Sequence, residues 1–146
     1  MNIRLIEARD VDSILAIQSA SPEIAQWTTW DYARVARGDM AGWVAEAKSE
    51  IDGFLVARRV VTDVEILNFA VRPHARHGGI GTSLLRETLA WGATFRAEKA
   101  LLEVRASNLA ALSFYVRHGF EVTGRRPRYY SAPIEDALIL TAVLAK

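Results

Sequence analysis

The segment Ala70-Val71-Arg72-Pro73-His74-Ala75-Arg76-His77-Gly78-Gly79-Ile80-Gly81-Thr82-Ser83 joins a strand to a helix through a basic, glycine-rich turn. The strand side, Val64 to Val71, is rich in β-branched and aromatic residues. Pro73 lacks an N–H and prevents a simple continuation of that strand. On the helix side, Leu84, Leu85, Thr88, Leu89 and Trp91 recur at helical spacing, which predicts a helix running to about Ala97. The first turn of a helix has unpaired N–H groups and a partial positive charge, and glycines let a phosphate approach that backbone closely. The segment therefore reads either as a pyrophosphate cradle or as a glycine turn that merely starts a helix. It is not a P-loop, because no Gly-Lys-Ser/Thr follows. Nor is it a dinucleotide fingerprint, because Leu84 stands where the third glycine belongs.

Working outward, residues 2–7 read as a short strand. Asp10 is placed to cap a helix reaching about Ala20, with Val11, Ile14, Leu15 and Gln18 at helical spacing. A break follows at Ser21-Pro22. Thr28 with Asp31 forms a capping-box pattern for a second helix, and Gly38 is its stop. Strands are expected at 42–47, 54–61 and 64–71, with turns at 48–53 and 62–63, as an antiparallel meander. Downstream, Leu101–Arg105 reads as a strand, and Asn108 caps a helix that ends at Gly119. Strands at 120–124 and 134–144 flank a loop from Arg125 to Pro133 that holds two prolines and two adjacent tyrosines. The order β-α-α-β-β-β-α-β-α-β-β predicts a mixed α/β fold with a mostly antiparallel sheet of about seven strands and four helices.

Composition narrows the function. A length of 146 residues suits a single domain, 1–146. With 51% hydrophobic and 24% charged residues, the chain is neither disordered nor low-complexity. Lys plus Arg is 18 and Asp plus Glu 17, a net charge of +1 that does not advertise direct nucleic-acid binding. The absence of cysteine excludes a disulfide framework, a thiol nucleophile and a cysteine zinc site. His74 and His77 are three apart but have no third ligand nearby, so no metal is expected. Arg4, Glu7, Arg9 and Asp10 interrupt any apolar signal core, and no apolar run reaches about 18 residues. The expectation is a soluble, cytoplasmic protein without a membrane partner.

A second motif is Leu101-Leu102-Glu103-Val104-Arg105-Ala106-Ser107-Asn108, followed by Ala110, Ala111, Phe114, Tyr115, His118, Gly119 and Phe120. Together with the glycine segment it resembles the GCN5-related N-acetyltransferases (GNAT family). The family signature Arg/Gln-x-x-Gly-x-Gly/Ala falls on Arg76, Gly79 and Gly81, and the element order is similar over essentially the whole chain. Within the family, the run Leu102–Asn108, Phe114-Tyr115, Gly119-Phe120, Arg126–Tyr130 and Glu135-Asp136-Ala137 resemble bacterial ribosomal-protein-alanine N-acetyltransferases.

The resemblance implies a reaction in which an amine attacks the thioester of acetyl-CoA. It assigns Glu103 as the base. Glu103 lies in an otherwise apolar strand where burial would raise its pKa; the competing reading is a strand glutamate facing water or paired with Arg105. It assigns Tyr115 as the proton donor to the CoA thiolate, against the reading of a core tyrosine on an amphipathic helix. Phe69, Ala70 and Val71 are implied to pair with the pantetheine arm, with the Val71 N–H on the thioester oxygen. The stretch Arg76, His77, Gly78, Gly79, Ile80, Gly81, Thr82 is implied to hold the pyrophosphate, and Asn108 to act as both cap and pantetheine contact. His77 departs from the arginine common there, which weakens a charge contact to phosphate. The second-helix region Trp27–Tyr32, with Trp30, the stretch Glu65–Phe69, with Glu65 and Asn68, and the Arg125–Pro133 loop, with Tyr129 and Tyr130, are expected to border the acceptor, with a packed hairpin loop or water-facing strand residues as the competing reading. The implied activity is acetylation of a protein or peptide N-terminus, with an Ala-starting ribosomal protein as acceptor. The alternatives are a small-amine acetyltransferase and a non-catalytic acyl-CoA sensor.

Overall fold

The computed structural model describes residues 1–144. The elements are β1 (Asn2–Leu5), α1 (Val11–Ser19), α2 (Thr29–Ala36), β2 (Ala41–Ala47), β3 (Glu50–Val60), β4 (Asp63–Val71), α3 (Ile80–Ala93), β5 (Lys99–Arg105), α4 (Leu109–Arg117), β6 (Glu121–Tyr130) and β7 (Glu135–Val143). The seven strands form one sheet in the order β1-β2-β3-β4-β5-β7-β6. Every pairing is antiparallel except β4 with β5, which needs the α3 crossover. The mixed α/β fold, its four α-helices and the predicted element order hold among the described residues. None of these helices is long and apolar enough to cross a membrane. No group of three or more metal-ligating side chains occurs among the described residues.

The core lies on both faces of the sheet. One cluster gathers Val64, Ile66, Leu84, Leu85, Leu102, Val104, Tyr115 and Phe120 beneath α3 and α4. The other gathers Ile14, Ile17, Tyr32, Val35, Phe54 and Ala70 beneath α1 and α2. β4 serves both. Its register against β3 shifts between Val56/Asn68 and Ala57/Ile66, which leaves Leu67 as an extra residue. This bulge inverts the alternation of faces. Val64 and Ile66 thus share a cluster with Phe69, whereas Leu67 and Ala70 pack on the opposite one.

The β4–β5 pairing is short. It covers only Asp63↔Lys99, Val64↔Ala100 and Glu65↔Leu101. Beyond the bulge the two strands splay apart, and the sheet opens into a cleft that the seven-strand count alone does not imply.

Several boundaries differ from expectation. The turn expected at 48–53 contracts to Lys48-Ser49, both at positive φ (51° and 66°), so β3 begins at Glu50. This is the backbone of a two-residue hairpin without the usual Asn-Gly signal. The α3 helix stops at Ala93, where the Ala97 N–H folds back to the Gly92 carbonyl. The loop expected over Arg125–Pro133 is largely strand, since β6 runs to Tyr130 against β7. Pro127 is tolerated because β6 is an edge strand, where its missing N–H costs no ladder bond.

Asp10 stands at the start of α1 but makes no side-chain cap there. Its carboxylate is buried and accepts instead from Arg4 (2.8 Å to each oxygen) and from the Glu7 N–H (2.8 Å). Burial pushes this carboxyl up, but the hydrogen bonds from Arg4 and Glu7 outweigh burial and hold it below its ordinary 3.8. A carboxyl depressed in the folded state contributes stability above its unfolded pKa, and that stability is lost as pH falls through the folded value. Asp10→Ala is therefore expected to lower the unfolding free energy by about 3 kcal/mol at pH 7. Urea unfolding of both proteins at pH 7 and pH 3 checks this: the gap should narrow at pH 3.

Candidate active site

The cleft between β4 and β5 holds two cavities that meet. One, of about 500 Å³, is lined by Phe69, Ala70 and Val71 of β4, by Arg76, His77, Gly79, Gly81 and Thr82, and by Asn108, Phe114, Tyr115 and Arg117. The other, of about 780 Å³, is lined by residues 22–27, by Arg58, by Glu65 to Phe69 of β4, by Leu102 to Arg105 of β5, and by residues 129–132. Glu23, Ile24, Phe69, Asn108, Ala111 and Tyr115 border both.

The smaller cavity has the N-terminus of α3 at its wall. The α3 helix starts at Ile80, and the first N–H turned inward is that of Ser83, bonded to the Gly79 carbonyl (3.0 Å). The Ile80, Gly81 and Thr82 amides therefore lie ahead of the first intrahelical bond, at the positive end of a 14-residue helix. Gly79 has φ +88°, and a Cβ there would meet nothing within 4 Å, so it is the backbone conformation that calls for glycine. At Gly81 the reason is contact, since a Cβ would come 3.2 Å from the Phe114 ring. His77 adopts φ +68° without that freedom. The Arg76 side chain is held by protein partners: its Nε donates to the Val71 carbonyl (2.9 Å) and its Nη2 to the Ser21 hydroxyl (3.1 Å).

The wall formed by β4 offers backbone donors. The Arg72 N–H donates to the Asp52 carbonyl (2.7 Å), which makes that position a hydrogen-bonded pair of the β3–β4 ladder. By alternation, Ala70 also faces β3, and Phe69 and Val71 turn their N–H groups the other way, into the cleft. Asn108 caps α4 by accepting from the Ala111 N–H (3.2 Å), which leaves its amide nitrogen for the cleft it borders. Tyr115 is 6% exposed and packs edge-on against Phe69, Phe114 and Phe120. Burial pushes its phenol up, and its hydroxyl has no protein partner among the described residues.

The larger cavity contains the carboxylates. Glu103 projects into it from β5, but it is not buried as expected: its side chain is 24% exposed. Its partner is not Arg105. The Arg126 guanidinium, reaching over β7 from β6, donates to the Glu103 carboxylate. Arg105 instead pairs with Glu135 (3.1 Å), donates to the Ser131 and Pro133 carbonyls, and lies 4.4 Å from the Tyr130 ring centroid. This holds the β6–β7 turn and Tyr130 against the cleft, with the exposed Tyr129 beside it. Glu65 accepts from Arg58 (2.8 Å). Asn68 is buried, and its amide donates to the Ala25 carbonyl (3.0 Å) and the Tyr32 hydroxyl (2.9 Å). Its side chain thus fastens the 22–27 segment to β4. Trp30 borders neither cavity; it is 64% exposed beneath Arg37, and Trp27 is the tryptophan that lines the cleft. Gly78 and Ile80 also lie outside the two linings, with Ile80 packed into the core.

One bordering carboxylate carries no sequence signal. Glu23 is half-buried where the cavities join and makes no hydrogen bond or ion pair among the described residues. It sits in an irregular segment after Pro22, where no periodicity or spacing singles it out.

Residues 8–120 match the Acetyltransferase (GNAT) family. An N-alpha-acetyltransferase of Sulfolobus acidocaldarius is 32% identical, over 97% of this chain and 92% of that protein. A ribosomal protein bS18-alanine N-acetyltransferase of Salmonella typhimurium is 35% identical over 96 residues, covering 64% of this chain and 65% of its own. The crystal structure of the ribosomal-protein-S18-alanine N-acetyltransferase of Escherichia coli shares the fold, with a TM-score of 0.87 at 24% identity over 99% of this chain and 94% of that one. With its splayed β4–β5 cleft, its glycine turn opening α3 and a family match over most of its length, the chain belongs to the GNAT family of acetyltransferases.

Proposed function

We propose that this protein transfers an acetyl group from acetyl-CoA to the N-terminal α-amine of a protein in the cytoplasm, with an Ala-starting ribosomal protein as preferred acceptor. The observation that carries the reading is the meeting of an anion-binding cavity and a carboxylate-lined cavity at Tyr115. The residues present fit acetyl-CoA: open amides at Gly81 and Thr82 for the diphosphate, outward N–H groups on Phe69 and Val71 for the pantetheine arm, and a wall of Phe69, Ala111 and Phe114 beside it. Acetyl-CoA supplies the thioester carbon and a thiolate leaving group. The Val71 N–H is directed to bind the thioester oxygen. The Tyr115 hydroxyl, protonated at neutral pH as a phenol is, donates its proton to the departing sulfur. Glu103 accepts the proton of the acceptor ammonium, directly or through water. A peptide α-amine, with a pKa of about 7.7–8, gives up that proton far more readily than a lysine at about 10.4.

The acceptor side supports a peptide. Pro22, Ala25, Gln26, Tyr129, Ser131 and Ala132 border the larger cavity and are exposed, so its rim opens to solvent as a groove. A small-amine enzyme calls for a closed pocket. The Sulfolobus and Salmonella relatives, named for N-alpha and ribosomal-protein-alanine acetylation, support the same reading. The test is CoA release with acetyl-CoA and peptides that differ only in their first residue, run beside polyamines and aminoglycosides. The expected result is turnover with an Ala-first peptide that is lost when its α-amine is blocked. Turnover confined to small amines would overturn the acceptor assignment, and acetyl-CoA binding without any turnover would favour the sensor.

A further inference from the structure

His118, at the C-terminal end of α4, bonds through both ring nitrogens. Nδ1 lies 2.7 Å from the Phe114 carbonyl, and Nε2 lies 3.0 Å from the Thr82 hydroxyl. The ring also lies over Phe114, with centroids 4.3 Å apart. A carbonyl only accepts, so Nδ1 carries the hydrogen. In the neutral ring Nε2 is then an acceptor, and the Thr82 hydroxyl must donate to it. Thr82 is the third residue of α3 and borders the smaller cavity. With its hydrogen spent on His118, its hydroxyl presents lone pairs to that cavity, and a phosphate oxygen cannot donate to them. When the ring is protonated, Nε2–H donates to Thr82, and the hydroxyl hydrogen is released toward the cavity.

We propose that His118 is a positioning residue that sets the direction of the Thr82 hydroxyl, so that protonation of its ring converts Thr82 into a donor for an anionic group at the α3 N-terminus. The inference rests on the reading of the smaller cavity as the CoA site. The anion is then the CoA diphosphate, and its binding draws a proton onto His118. The charged and titratable groups nearest in the chain to the pair include Tyr115 and Arg117 of α4, Glu121 at the start of β6, Arg86 and Glu87 one turn along α3, and Arg76 and His77 of the glycine turn. His77 also borders the cavity and is the rival titrating group.

The test uses 3′-dephospho-CoA, whose diphosphate keeps a constant charge across the histidine range. Its Kd is measured by calorimetry from pH 5.5 to 8 in two buffers of different ionisation enthalpy. For the wild type, affinity is expected to weaken about tenfold as pH rises from 5.5 to 8, the size of one hydrogen bond to a charged group, with net proton uptake on binding. Both Thr82→Val and His118→Gln are expected to flatten the profile and abolish the uptake. Nitrogen NMR of the ligand-free protein at pH 8 is expected to show the Nδ1–H tautomer of His118. A steep profile retained in Thr82→Val, or lost in His77→Asn but kept in His118→Gln, overturns the inference, as does the Nε2–H tautomer. Binding with a flat wild-type profile overturns it alone, whereas no binding at any pH overturns the CoA reading with it.

Discussion

Tyr115→Phe is expected to lower kcat by about 10²–10³-fold, the usual contribution of a positioned proton donor. The substitution removes one oxygen and leaves the ring. The contacts with Phe69, Phe114 and Phe120 remain, so the wall between the two cavities stays in place. The hydroxyl has no protein partner to orphan among the described residues, so the unfolding midpoint should stay nearly unchanged. Acetyl-CoA affinity should also hold, because the amides of the glycine turn and of β4 are untouched. Pre-steady-state acetyl transfer to a peptide, measured beside acetyl-CoA binding, separates these quantities. A variant that keeps kcat and only raises KM would mean that Tyr115 contributes uniform binding, and its role as proton donor would be withdrawn.

Glu103→Gln is expected to cost about 10²-fold in kcat/KM near pH 7, and the deficit should shrink as pH rises. If Glu103 takes the proton from an acceptor ammonium, its absence matters most where the amine is charged. Above the α-amine pKa of about 8 the acceptor arrives neutral and needs less help. The variant and wild-type profiles should therefore converge towards pH 9.5. Glutamine also loses the charged partner of Arg126, so Arg126→Leu is the control that breaks the same ion pair while keeping the carboxylate. A pH-independent deficit in Glu103→Gln, matched by Arg126→Leu, would reduce Glu103 to a structural partner of β6. Glu23→Gln belongs in the same series, because that carboxylate borders both cavities and has no partner among the described residues.

Much of the molecule was legible from local chemistry. The Thr28/Asp31 capping box and the Asn108 cap are fixed by contacts within a few residues, and they appear where the sequence puts them; the apolar face of α3 and the β2–β3–β4 meander are legible from hydrophobic periodicity, with their ends shifted by a few residues. The glycine turn was legible because positive φ and close approach at Gly79 and Gly81 leave few residue types able to serve. Boundaries set by long-range pairing were less so. The Arg125–Tyr130 stretch has a proline and the adjacent aromatics of a loop, and only the neighbouring β7 makes it an edge strand.

The site divides along the same line. By itself the sequence disclosed the glycine turn that opens α3, the candidate proton-moving residues and the family resemblance, since each depends on side-chain chemistry at fixed spacing. Tertiary structure alone decided how those groups stand to one another. The Leu67 bulge parts β4 from β5 and opens the cleft, Arg126 rather than Arg105 takes Glu103, and Trp27 rather than Trp30 lines the groove. It also brings Glu23 to the join of the cavities and sets His118 against Thr82, 36 residues away in the chain. Partners that far apart are chosen by how strands and helices pack in three dimensions, and no periodicity in one dimension encodes that choice.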